Sequence, residues 1–285
     1  MTGCLRGDTT VSTMPVPPIR ISDPDDPRIA AYRAIRERDL VGRKGLFVAE
    51  GKVVLDTLFS AGRFEPESAF VLENRLIGLA ETLRLAPPSM PVYVAEASIM
   101  DAVAGFHIHR GVLAVGRKGK GLTASELLGL LPRRALVLVL VGISNHDNVG
   151  AIFRNAAAFG ADAVFLDRTC CDPLYRKSIR VSVGAVLKTP FASFADTGDF
   201  LDELTGEGFK PVALSPSGET DIRAVDRPER LALFLGTEGE GLPQSLLRKM
   251  STARIAMAEG FDSLNVAAAS AIALHGLADD DGSAG

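Results

Sequence analysis

"ALVLVLVGISNHDNVGAIFRNAAAFGADAVFLD", residues 135–167, is the stretch that decides the fold. It opens on a continuous aliphatic run, crosses a polar turn, continues with helical spacing and closes on a second apolar run. Strands buried on both faces read as unbroken Val/Leu runs rather than alternating ones. Strand, helix and strand in this succession predict a parallel sheet covered by helices. Within the helical part, Ile152, Phe153, Ala156 and Phe159 supply a packing side. Ala151, Arg154, Asn155 and Ala158 follow i, i+3, i+4, i+7 and share another face. Arg154 therefore projects from a face of small residues, where something else can come near.

Working outward, the same alternation continues downstream through "SIRVSVGAVL", "FLDELTGEG", "KPVALS", "LALFLG", "LPQSLLRKM", "ARIAM" and "LNVAAASAIALHGL". Upstream, "LFVAE", "SAFVLEN", "PVYVAE" and "GVLAVGRK" predict short strands between helices, a smaller α/β domain over 26–118. Residues 1–25, rich in Pro, Thr, Ser and Asp, predict a flexible arm. The glycines and basic residues of 119–134 predict a linker followed by a turn or two of helix. Residues 135–278 form the second domain, and 279–285 an acidic tail.

With 285 residues, 47% hydrophobic and 23% charged, the chain has a globular composition and length for two domains. No apolar run reaches the roughly 18 residues of a membrane span. The N-terminus lacks the apolar core of a signal peptide, which predicts a cytoplasmic protein. Cys4, Cys170 and Cys171 supply neither a disulfide framework nor a CxxC pair. Net charge is −4, yet residues 28–52 carry seven basic and three acidic side chains, and 168–188 five basic and one acidic. Such stripes can neutralise phosphates on an otherwise acidic protein.

Three loops at expected strand ends have unusual chemistry, and ligands of open α/β sheets sit at such ends. In "GISNHDNVG", Asn145, Asp147 and Asn148 can each cap a helix start, and Gly150 permits close approach. In "LALFLGTEGEGLP", glycines 236, 239 and 241 follow the buried Leu235 and expose backbone groups. Glu238 and Glu240 make that loop acidic, which suits a neutral or cationic ligand better than a phosphate. In "ARIAMAEGFDSLNVAAAS", Gly260 precedes a helix capped by Asp262 or Ser263, with Asn265 in its first turn and a face of small residues.

Together these loops resemble the SpoU–TrmH family of the SPOUT methyltransferase superfamily. The likeness lies in N-x-G-x-I-x-R-x-A-x-x-F-G at 148–160, G-x-E-G-x-G-L at 236–242 and M-x-x-x-x-D-S-L-N-V-A at 257–267. "CDPLYRKSIRVSVGAV" also looks like the segment between the first two motifs. "GLFVAEG" and "HIHRGVLAV" are similar to the L30e-like RNA-binding domain that often precedes the catalytic one, with Arg110 where glutamine is common.

The resemblance implies S-adenosylmethionine-dependent methylation of a ribose 2′-hydroxyl in ribosomal or transfer RNA. It implies an α/β fold: a C-terminal parallel-sheet SPOUT domain with a deep trefoil knot, behind a smaller L30e-like domain, and a homodimer formed through the C-terminal domain. Carried over by position, Leu235, Gly236, Ile255, Met257 and Leu264 line the cofactor site. Arg154 matches the catalytic arginine, and Asn148, Glu238, Ser263 and Asn265 match its polar surround. The helix expected at 28–44 and the segment 168–188 are the candidates for RNA phosphates.

Three other readings have weaker support. A nucleotide-cofactor oxidoreductase lacks G-x-G-x-x-G after an early strand. A metal hydrolase built on His107, His109 and His146 lacks carboxylates at ligand spacing. A non-catalytic RNA-binding or resistance protein has no need of Arg154, Glu238 and Asn265 together.

Overall fold

A computed structural model describes residues 17–33, 37–105, 110–260 and 263–277. The chain divides into two units, Met1–Gly119 and Lys120–Gly285.

In the first unit the elements run β1 (Ile19–Arg20), α1 (Glu37–Lys44), β2 (Leu46–Glu50), α2 (Lys52–Ser60), β3 (Glu65–Leu72), α3 (Ala80–Arg84), β4 (Val92–Ala95), α4 (Ala97–Ala104) and β5 (Val112–Arg117). They build a five-stranded sheet in the order β1-β4-β3-β5-β2. β1, β4 and β3 are parallel, while β5 runs antiparallel to both β3 and β2. Phe47, Phe70 and Leu113 are buried within the unit, and the buried Tyr32 hydroxyl bonds Ser68 Oγ at 2.8 Å.

Two expectations are corrected here. Part of the arm expected over 1–25 is a strand: Ile19 and Arg20 pair with Tyr93 and Val94, and Ile21 is buried. One aliphatic-polar pair of residues carries no periodicity, so the pattern alone misses so short an edge strand. The single basic helix expected at 28–44 is a 3₁₀ segment, Pro27–Tyr32, and then α1. Pro27 and the Asp26 cap start the first; residues 34–36 of the expected helix lie outside the described residues. So do residues 1–16 of the arm, His107, His109, Asp262 and the tail.

The second unit begins with α5 (Ala124–Gly129), inside the stretch expected as a linker followed by a turn or two of helix. Thr123 and Glu126 close a capping box at its start, and Leu127 and Leu128 are buried in the unit's core. A reciprocal cap and two buried leucines suffice to fix a helix this short. Next come β6 (Ala135–Leu140), α6 (His146–Ala158), β7 (Ala163–Asp167), α7 (Arg176–Val181), α8 (Ala185–Lys188), β8 (Phe191–Phe194) and α9 (Thr197–Gly206). The remainder is β9 (Lys210–Leu214), β10 (Thr220–Asp221), β11 (Arg230–Leu235), α10 (Gln244–Leu247), β12 (Ser251–Arg254) and α11 (Val266–Leu277).

Their seven strands form one sheet in the order β10-β12-β9-β11-β6-β7-β8, and every pairing is parallel. All six residues of β6 are buried, which is why its sequence does not alternate. From β6 the chain proceeds outward through β7 and β8, then crosses back so that β11 lies against β6 on its other side. This reversal of strand order is where open parallel sheets bind ligands.

Candidate functional site

The site is built from the ends of β6, β9, β11 and β12. After β6, Gly142 takes φ 73, and a Cβ on it would meet Thr237 Cγ2 at 2.5 Å. Asp167 at the end of β7 fixes this turn: its carboxylate accepts from the N–H groups of Gly142, Thr169 and Cys170 at 2.9–3.0 Å. The Cys170 thiol accepts from Ile143 N and donates to the Leu140 carbonyl. Burial and the neighbouring Asp167 carboxylate push that thiol well above its usual range. Among described residues, Asn145 caps α6 by accepting from Asp147 N at 2.8 Å.

On α6, Ile152, Phe153 and Ala156 are fully buried, as their side of the helix requires. The face of small residues is occupied on one flank by α11. Asn155 Nδ2 donates to the Ala267 carbonyl at 2.8 Å and to Ser270 Oγ at 2.9 Å. Two turns earlier, the buried Asn148 accepts from Asn265 Nδ2 at 3.0 Å. The same Asn265 amide donates to Glu238 Oε1 at 2.5 Å, while Asn265 Oδ1 caps α11 by accepting from Ala267 N. One side chain thus ties three loops together. Arg154, in contrast, is exposed and makes no ion pair to a described carboxylate.

The loop after β11 is a closed turn. Gly241 N donates to the Thr237 carbonyl at 3.2 Å, and Gly239 and Gly241 take φ 100 and 68. A Cβ on Gly236 would lie 2.4 Å from the Gly241 carbonyl carbon and 2.5 Å from Leu242 N. Backbone therefore packs directly on backbone here, which glycine alone permits.

Between this turn, the end of β12 and the start of α11 lies a cavity of about 490 Å³. Its walls include Leu235, Gly236, Ile255, Met257 and Leu264, together with Glu238, Ser263 and Asn265. Eight of the ten sequence-derived site residues thus meet at one cavity. Asn148 joins it through Asn265, and Arg154 does not line it. Backbone groups of the glycine turn, apolar walls and the Glu238 and Glu240 carboxylates suit a small ligand with an apolar part and a positive charge.

The sequence reading missed the loop after β9. Leu214, Ser215, Pro216 and Ser217 also line the cavity, and Ser215 Oγ bonds Ser217 Oγ at 3.1 Å. A Cβ on Gly218 would meet the Ala253 carbonyl carbon at 2.3 Å, so this loop is pinned to β12. "SPSG" is a legible turn signal, but its place beside β11 follows from strand order. The His146 ring lies 5.2 Å from that of Tyr175.

The SpoU rRNA Methylase family model matches residues 135–275. Among relatives, an uncharacterised tRNA/rRNA methyltransferase of Mycobacterium tuberculosis is 41% identical over 266 residues, 90% of each chain. A 23S rRNA (guanosine-2′-O-)-methyltransferase of Coxiella burnetii is 35% identical over 174 residues, 59% of this chain and 68% of its own. The solved structure of an AdoMet-bound rRNA methyltransferase from Sinorhizobium meliloti matches with TM-score 0.77 at 25% identity, covering 90% of this chain and 96% of that one.

Proposed function

This chain belongs to the SpoU–TrmH family of RNA methyltransferases, and on that premise we propose that it methylates a ribose 2′-hydroxyl in ribosomal or transfer RNA, with S-adenosylmethionine as donor. The observation that carries this reading is the convergence of three loops on one cavity, with Arg154 exposed on the helix that Asn148 ties to them.

The donor supplies an electrophilic methyl group on a sulfonium. Leu235, Ile255, Met257 and Leu264 hold its apolar parts, and the backbone of Gly236 to Gly241 its polar edge. Glu238 and Glu240 offset the positive charge. Arg154 faces the acceptor. An arginine stays protonated in protein settings, so its role is to bind the phosphate beside the target ribose and to stabilise charge developing on the 2′-oxygen. A phosphate oxygen or water takes the proton. Asn148 and Asn265 fix α6 against α11, which would hold the ribose bound at Arg154 in place for attack by its 2′-oxygen on the donor's methyl group.

The first unit is the L30e-like substrate-binding domain in this reading, and α1 and the 168–188 segment hold RNA phosphates. The chain from β12 into α11 is the threaded part of a trefoil knot. The protein works in the cytoplasm as a homodimer joined through the second unit, where Ala268 and Ile272 on α11 offer an exposed uncharged stripe. No described helix is long and apolar enough to cross a membrane.

The test is mass-spectrometric mapping of ribose methylation in total RNA from cells with and without the protein. The expected result is loss of one 2′-O-methyl nucleotide or a small set of them. Unchanged ribose methylation, or loss of a base methyl group, contradicts the proposal.

A further inference from the structure

Val183 is the one non-glycine residue with positive φ among the described residues, at φ 52. A β-branched side chain in this region is strained. The residue sits at the corner between α7 and α8, where Val183 N donates to the Arg180 carbonyl and Gly184 N to the Ile179 carbonyl, both at 3.1 Å. Glycine would make the same corner without strain, as Gly184 does next to it at φ 84. Burial does not compensate. Val183 is 40% exposed, whereas Ser182, Gly184 and Ala185 around it are buried. Strain of this kind, kept at an exposed position, clusters at functional sites.

The corner closes a helix that packs on α6, the helix that carries Arg154. A Cβ on Gly150 of α6 would meet the Ser178 carbonyl oxygen at 2.6 Å and Val181 Cβ at 2.9 Å, so α6 and α7 touch through backbone. Ser178 Oγ also donates to the His146 carbonyl at 3.1 Å. The paired contacts, 146 and 150 with 178 and 181, show the two helices advancing in the same direction. Arg154 is one turn beyond Gly150, and Val183 two residues beyond Val181. Exposed cations stand on these helices, Arg154 on α6, Arg180 on α7 and Lys188 at the end of α8, while Lys177 is paired with Asp147 at 2.6 Å at the start of α6. An apolar group between cations complements a nucleotide, whose sugar carries C–H groups between two phosphates.

We infer that Val183 contacts the acceptor nucleotide, its isopropyl group packing on the target ribose while the neighbouring cations hold the flanking phosphates. This rests on the RNA ribose-methylation reading above.

The experiment compares wild type, Val183→Gly and Val183→Ile on total RNA from cells lacking the protein, with tritium-labelled S-adenosylmethionine. RNA affinity, donor affinity, melting temperature and sedimentation are measured alongside turnover. Val183→Gly should raise KM for RNA and weaken RNA binding by about tenfold, the scale of a lost apolar contact in a binding site. Its donor affinity and oligomeric state should match wild type, and its melting temperature should be equal or higher, because the strain is relieved. Val183→Ile should restore most of the RNA affinity. Wild-type KM and RNA affinity in Val183→Gly overturn the inference; so does a lowered melting temperature or a changed oligomeric state, which make the corner structural. Failure of wild type itself to methylate RNA sinks the underlying reading instead.

Discussion

The cavity beside the glycine turn and the Arg154 face of α6 are built in opposite ways. At the cavity, polar groups satisfy one another: Asn265 bonds Asn148 and Glu238, Gly241 bonds Thr237, and Asp167 holds the turn after β6. On α6 the Arg154 guanidinium is exposed without a carboxylate partner among described residues, and at the α7–α8 corner Val183 keeps a strained backbone with its side chain in the open. A site finished by its own hydrogen bonds is preorganised for a small ligand. A face left unfinished is completed by a large one. In the proposed function the donor takes the first and RNA the second, and substitutions should separate them.

The largest effect is expected on the RNA side. Arg154→Ala should lower single-turnover methyl transfer by about 10³-fold, the scale of losing one group that stabilises developing charge. Transfer within tenfold of wild type would blur the comparison. On the donor side, Gly236→Ala forces a methyl group into the Gly241–Leu242 backbone. Overpacking of this kind should weaken donor binding by about 10- to 100-fold in equilibrium dialysis, while RNA affinity stays unchanged.

Asn265→Ala should act on the frame that joins the two regions. Removing the α11 cap and its bonds to Asn148 and Glu238 should cost about 1–2 kcal/mol, read as a lower urea midpoint. Ser217→Ala should change donor affinity by no more than about tenfold, one neutral hydrogen bond at most. The smallest effect concerns Cys170. Because its thiol stays protonated well above neutral pH, iodoacetamide should label it far more slowly in the folded protein than after denaturation.

Much of this was legible in the residues. The unbroken aliphatic run 135–140 announced a strand buried on both faces, and β6 sits inside the sheet. The glycines at 236–241 announced special backbone, a local signal that survives folding, but the cap expected at Asp262 or Ser263 is made by Asn265, which stands just before α11 and not in its first turn. What was not legible depends on tertiary order. The Ser215–Ser217 loop reaches the cavity because β9 pairs with β11, a neighbour relation absent from the pattern. Val183 reads as an ordinary valine between two small residues; its positive φ comes from the sharp corner between two packed helices. β1 is two residues long and carries no period, whereas the turn or two of helix expected after the glycines of the 119–134 stretch is present as α5.

Isothermal titration of S-adenosylmethionine into Arg154→Ala tests the division most directly. A donor site complete without the guanidinium predicts the wild-type dissociation constant and stoichiometry. Donor binding abolished by this single change would contradict it, because Arg154 would then belong to the cavity and not to the RNA face.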